Sequence, residues 1–127
     1  MSQSDKKLSV ALADGNDIMR AEVVALLEKW GYRVNEFGDA KSLAAHIEGN
    51  PVDIVVAATR LTSFTGLQLL RHIKGHVRLK ALPVIVMGPV EMRIAIEREG
   101  GLYVDKFGSG MFSSALGSAS AQRAAAA

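Results

Sequence analysis

Five short apolar runs alternate with amphipathic segments along this chain. The runs fall at 8–13, 32–37, 53–57, 82–87 and 102–105, and the first, third and fourth are nearly continuous in apolar residues. Strands read this way when both of their faces are covered. Between the runs, apolar residues recur at helical spacing over 18–30, 41–48, 67–74 and 90–99. Ile18, Val23, Leu26, Leu27 and Trp30 are assigned broadly to one face of the first helix. Glycines close the segments: Gly31 after the first helix, Gly49-Asn50-Pro51 after the second, Gly75 after the third and Gly100-Gly101 after the fourth. Met111, Phe112, Ala115, Leu116 and Ala119 predict a fifth helix over 111–119. It is rich in Ser and Gly, so packing has to hold it. Alternation of strand and helix implies an α/β fold, a five-stranded parallel sheet with helices on both sides and the flavodoxin-like strand order 2-1-3-4-5.

Composition narrows the classes of function. The 127 residues suffice for one domain, expected over 7–120, with a disordered start at 1–6 and an Ala-rich tail or linker at 121–127. The absence of Cys excludes a disulfide scaffold, a cysteine nucleophile and thiolate metal sites. No apolar run is long enough to cross a bilayer, and no signal peptide is visible, so a cytoplasmic location is expected. The formal charge of +2 is too small to argue for nucleic acid. The basic stretch 71–80 reads as a solvated helix end whose cations offset the helix dipole.

Several local motifs resemble a bacterial response-regulator receiver domain (CheY-like). They are Val10-Ala11-Leu12-Ala13-Asp14, Leu26-Leu27-Glu28-Lys29-Trp30-Gly31-Tyr32, Gly66-Leu67-Gln68-Leu69-Leu70, Leu82-Pro83-Val84-Ile85-Val86-Met87 and Tyr103-Val104-Asp105-Lys106. Their order and spacing extend the resemblance over roughly 7–120 of the chain. The resemblance implies a phosphorylation pocket of five polar groups at the carboxyl ends of the strands. Two carboxylates after the first strand and an acceptor Asp after the third hold magnesium, which takes oxygen ligands. A hydroxyl residue after the fourth strand and a Lys after the fifth contact the phosphoryl group.

Matched position by position, Asp14 and Lys106 are retained, whereas Gly15 stands for the second carboxylate, Ala58 for the acceptor and Gly88 for the hydroxyl residue. Ala58 has no lone pair with which to attack phosphorus or bind a metal. The resemblance therefore implies a degenerate pseudo-receiver that lacks the phosphoacceptor Asp, with no catalytic residues, no metal, no cofactor and no enzymatic activity of its own. Thr59 has no base or metal to make it a substitute acceptor. Between Gly88 and Lys106 the chain is about four residues shorter than a typical receiver, roughly one helical turn. Phe107 replaces the family's usual Pro, so a trans bond is expected after Lys106.

The expected role is a non-phosphorylatable regulatory module of two-component signalling that works by protein–protein contact. Its partner is a signalling protein or an output domain of the same chain, and homodimers are a second use of the same face. The candidate partner face is Tyr103, Glu91, Arg93, Ile94, Glu97, Met111 and Leu116. Tyr103 is read as an interface anchor or, equally, as a strand-edge residue packed on the fourth helix. Asp14 and Lys106 are expected to pair across the emptied pocket, because an unpaired buried charge is costly. Two alternatives remain: a domain that binds a nucleotide or another anion through Lys106 and Arg60, and a phosphoacceptor receiver with unusual residues. The histidines at 46, 72 and 76 are assigned to helix surfaces, Asp39 to a helix N-cap and Asp53 to a structural turn.

Overall fold

A computed structural model describes residues 7–61 and 64–126; the expectation for 1–6 and for Ala127 lies outside the described residues. The strands are β1 (Ser9–Ala13), β2 (Arg33–Phe37), β3 (Ile54–Ala58), β4 (Val84–Met87) and β5 (Leu102–Val104). The helices are α1 (Asp17–Lys29), α2 (Ala40–Gly49), α3 (Gly66–Lys74), α4 (Arg93–Arg98) and α5 (Gly110–Ala126), with a 3-10 turn, Val90–Met92, ahead of α4. All strand pairs are parallel and the order is β2-β1-β3-β4-β5.

Alternation along the central strands divides the core in two. Ala11, Ala13, Val55, Ala57, Val84 and Val86 face one layer, where Leu43, Leu69, Ile73 and Ile96 of α2, α3 and α4 cover them. Val10, Leu12, Ile54, Val56 and Ile85 face the other, under Val23 and Leu27 of α1 and Phe112 and Leu116 of α5. Because both faces are buried, the apolar runs of β1, β3 and β4 need no polar side. β2 and β5 are the two edges, and Arg33, Asn35 and Glu36 are exposed along β2, which disfavours pairing with another chain there.

Local signals set the helix ends. Asn16 accepts the Met19 N–H at the start of α1, Asp39 accepts that of Ser42 at the start of α2, and Thr65 and Gln68 close a capping box on α3. The two amide and hydroxyl hydrogen bonds from Ser42 hold the Asp39 carboxyl below its ordinary pKa. Gly31 and Gly100 stop α1 and α4 with φ of 96° and 91°, where a side chain would be strained.

Three expectations need correction. Ile18 is 73% exposed rather than part of the apolar face. Five residues separate it from Val23, which places it about 140° away around a helix of 3.6 residues per turn. The fourth helix does not fill 90–99 as one element: Pro89 leads into the 3-10 turn, and only six residues are α-helical. Finally, α5 runs well past 119 to Ala126, so 121–126 continue the helix. Ala is the best helix former, and the far end of α5 is tied down by Tyr32 Oη to Ser120 Oγ at 2.9 Å and by Arg123 beside Asp53 at 3.7 Å. Asp53 has the structural role expected of it, since it also accepts the Ser9 N–H at 2.8 Å.

The start of α5 is an aromatic seam. Phe112 is fully buried, with the ring of Phe107 at 5.1 Å and that of Trp30 at 6.0 Å. Among the described residues no peptide bond is cis. Leu116, assigned above to the partner face, is 2% exposed and belongs to this core. Leu116→Ala should therefore lower unfolding stability by about 2–5 kcal/mol, as core Leu truncations do. Urea titration should show a lower midpoint at unchanged slope; a midpoint equal to that of the wild type would place Leu116 on a surface.

Candidate functional site

The sheet order brings the carboxyl ends of β1, β3 and β4 side by side. Ala13 pairs with Ala57 and Ala58 with Met87, so the loops that follow all open at one edge. In such a sheet this edge is where ligands bind. A cleft of about 650 Å³ lies there, with Asp14, Gly15, Ala58 and Gly88 together in its lining. Four of the five pocket residues identified from the sequence are thus adjacent. A larger hollow of about 830 Å³, by Tyr32, Arg33 and His46, lies at the opposite end of the strands. It gathers none of the expected pocket or partner-face residues.

Lys106 is the exception, and the expected Asp14–Lys106 pair is not formed. The Lys106 side chain is exposed and lies outside the cleft lining, and no ion pair within 4 Å joins it to Asp14 among the described residues. The loop after β5 explains this. Asp105 Oδ1 accepts the Lys106 N–H at 2.8 Å and the Ser109 hydroxyl at 3.0 Å, and Asp105 rather than Lys106 lines the cleft.

Asp14 is the one buried charged side chain among the described residues, at 5% exposure. Its Oδ1 accepts the Asn16 N–H at 3.0 Å; its other carboxylate oxygen has no hydrogen-bond partner among the described residues. Arg20 buttresses the same loop by donating from Nη1 to the Asp14 main-chain carbonyl at 2.8 Å. That guanidinium is raised above its usual pKa, first by the hydrogen bond to Glu36 and then by the one to Asp17.

Gly15 and Gly88 are glycines for different reasons. A Cβ on Gly15 would meet only the Gly38 carbonyl, at an ordinary 3.6 Å. A Cβ on Gly88 would lie 2.5 Å from Thr59 Cγ2 and 2.9 Å from Thr59 Oγ1. Thr59 therefore fills the volume that a hydroxyl residue at position 88 would occupy. Its backbone is fixed there, because Thr59 N–H donates to the Met87 carbonyl at 2.8 Å and its own carbonyl accepts from Gly66 at 3.1 Å. Sequence reasoning weighed Thr59 only as an acceptor and missed this packing role, for which only its position next to Ala58 was a signal.

These donors do not fit the magnesium ion that the resemblance implies. Gly15 and Ala58 offer no side-chain oxygen, and no cluster of three or more His, Cys, Asp or Glu is placed to hold a metal among the described residues. The anion alternative also loses ground, since Arg60 lines the cleft without Lys106 and beside two carboxylates.

The candidate partner face divides. Tyr103 is 7% exposed, donates from its hydroxyl to the Gly88 carbonyl at 2.9 Å and carries the Arg93 guanidinium over its ring at 5.6 Å. It packs inward against the turn and helix beside it and is not a surface anchor. Met111 is half-buried against both core layers. Glu91, Arg93, Ile94 and Glu97 remain exposed, with Ile94 at 67% and an Arg93–Glu97 ion pair at 3.1 Å. Of the histidines, His72 contacts Glu48 at 3.0 Å and His46 packs on Phe37 at 5.0 Å between ring centroids.

The response regulator receiver domain family model matches residues 10–101. Among curated proteins, the two-component response regulator-like protein APRR5 of Arabidopsis thaliana is 35% identical over 82 residues, 63% of this chain and 15% of that protein. The two-component response regulator ORR7 of Oryza sativa subsp. japonica is 29% identical over 90 residues, 70% of this chain and 43% of that protein. The chain thus spans less than half the length of these relatives. Among solved structures, a response regulator receiver domain protein from Clostridium thermocellum superposes with a TM-score of 0.82 at 21% identity, covering 94% of this chain and 99% of that one. Plant and bacterial proteins both match, so the comparison carries no bacterial assignment. No helix among the described residues is long and apolar enough to cross a membrane.

The crowding at Gly88 is testable. Gly88→Ala should cost about 1–3 kcal/mol by overpacking, and Thr59→Ala should relieve most of that cost. A double-mutant cycle by urea unfolding should return a coupling of about 0.5–3 kcal/mol; additive effects would mean that Thr59 does not fill this space.

Proposed function

The chain belongs to the response regulator receiver domain family of two-component signalling, and from that premise we propose that it is a pseudo-receiver that regulates by protein contact without being phosphorylated. One observation carries the reading: the acceptor position is Ala58, buried at the end of β3, where no nucleophilic side chain is available. Neighbouring positions support it. With Gly15 and Gly88, the cation ligands and the phosphoryl-binding hydroxyl are missing together, and phosphoryl transfer depends on such groups to position and neutralise charge. Lys106 turned outward is consistent with a pocket released from that chemistry.

The contact surface that fits this role is the exposed side of the 3-10 turn and α4. Val90 and Ile94, one helical turn apart, are both largely exposed, and Glu91, Arg93 and Glu97 surround them. An apolar centre with a charged rim is the usual anatomy of a protein interface.

Two experiments test the proposal. After incubation with acetyl phosphate and magnesium, intact mass should show no added phosphate; a stoichiometric gain would overturn the pseudo-receiver reading in favour of an atypical acceptor. In a pull-down with a partner identified by cross-linking, Ile94→Glu should reduce recovery by about tenfold or more, as loss of a central apolar contact does. Undiminished recovery would move the interface elsewhere.

A further inference from the structure

The end of the sheet opposite the cleft carries the unpaired positive charge of this nearly neutral chain. Lys7 and Arg33 stand at the amino ends of β1 and β2, Lys29 and Arg98 close α1 and α4, and Arg78 and Lys80 lie between α3 and β4. Each crossover helix runs back against its parallel strands, so all six gather at one end. All are exposed, and none forms an ion pair among the described residues. Three carboxylates at that end are already engaged: Glu48 with His72, Glu99 with Arg71 and Asp53 with the Ser9 N–H.

We propose that this end docks an acidic peptide segment of a partner, with carboxylates on Lys7 and Arg33 at one side and on Arg78 and Arg123 at the other. The proposal does not depend on whether the acceptor position is lost.

The surface there is recessed. The hollow of about 830 Å³ has Lys7 and Arg33 in its lining, and a second of about 210 Å³ has Arg78 and Arg123. Asn50 and Pro51 line both, so the two meet as one groove. Arg123 brings an unsatisfied donor to it. Its Nε is buried without a hydrogen-bond partner among the described residues, and Asp53 Oδ1, at 3.7 Å, is too far to be one. A guanidinium carries five donors in a planar fork that suits carboxylates. A carboxylate entering the hollow shares that fork with Asp53.

The same groove selects among anionic partners. A bilayer surface is flat and does not follow a recess. Single-stranded nucleic acid stacks its bases on open aromatic faces, and the rings in this lining are engaged. Tyr32 is half-buried with its Oη on Ser120 Oγ, and His46 packs on Phe37. Glu28 and Asp53 also interrupt the cations, which leaves no continuous basic track for a phosphate backbone. Separate carboxylates along an extended peptide match separate pairs of cations, and opposite charge steers such a segment in.

The test is fluorescence anisotropy of a labelled Glu-Gly repeat peptide titrated with the full chain. A Lys-Gly repeat and an oligothymidylate are the labelled controls, and co-sedimentation with phosphatidylglycerol vesicles is the third. Saturable binding of the Glu-Gly peptide, tighter than that of any control, is expected. Arg33→Glu and Arg78→Glu should each weaken it by about tenfold, the size of a lost charge-assisted hydrogen bond. Lys41→Glu makes the same change of charge on an exposed residue at the start of α2, at the other end of the sheet, and should leave binding nearly unchanged. Should a reversed charge unsettle the fold, Arg33→Ala and Arg78→Ala make the same comparison. No saturable binding, an equal loss with Lys41→Glu, or tighter binding to oligothymidylate or to the vesicles would overturn the proposal. The phosphorylation assay and the Ile94→Glu pull-down report on other surfaces, so a failure here leaves the pseudo-receiver reading to its own tests.

Discussion

Burial of a parallel sheet on both faces governs everything else in this protein. With α1 and α5 on one side and α2, α3 and α4 on the other, the side chains of β1, β3 and β4 are committed to packing. Only the residues just beyond the strands are free to carry chemistry. On the pseudo-receiver reading, the same constraint explains how the pocket could lose its polar groups without loss of the fold. Gly15, Ala58 and Gly88 sit past or at the last paired residues, where a small side chain removes a ligand but leaves few core contacts to be replaced. Where a hole would have formed, at Gly88, Thr59 has filled it. Function at this edge and stability in the layers are therefore nearly separable in this scaffold.

Much of the architecture was legible because the signals are local. Continuous apolar runs gave the buried strands, Asp39 marks a helix start with a single side chain, and Gly31 and Gly100 mark stops with positive φ. Adjacency of Asp14, Gly15, Ala58 and Gly88 followed from strand order alone. The failures share a different cause. Whether Lys106 enters the cleft depends on Asp105 and Ser109 bonding to each other across a turn. Whether Tyr103 faces inward depends on a main-chain carbonyl at Gly88. The length of α5 depends on Asp53 and Tyr32, far away in sequence. The last two are tertiary contacts and the first is a side-chain turn, and no period or propensity encodes any of them. Leu116 was misplaced for a simpler reason: helical spacing shows which residues share a face, but not which way that face points.

On the reading proposed above, a receiver without an acceptor still has to be controlled, and the geometry around Gly88 limits how. A ligand or partner can shift an equilibrium only by its differential affinity for the two states. Phosphorylation would supply that difference through the hydroxyl residue at position 88 and the lysine at 106. Here the first is absent and the second faces solvent. What remains beside position 88 is the Tyr103 hydroxyl on its carbonyl and the Arg93 guanidinium over the Tyr103 ring. Arg93 is also held by Glu97 on the exposed side of α4. The turn after β4, the aromatic ring and the outer surface of the short helix are thus linked by three direct contacts. On the proposed reading, a partner that engages Glu97 or Arg93 would compete with one of them, at a distance from the cleft itself. Regulation in this domain would then run from the helix surface inward, the reverse of the direction that a phosphorylated pocket imposes.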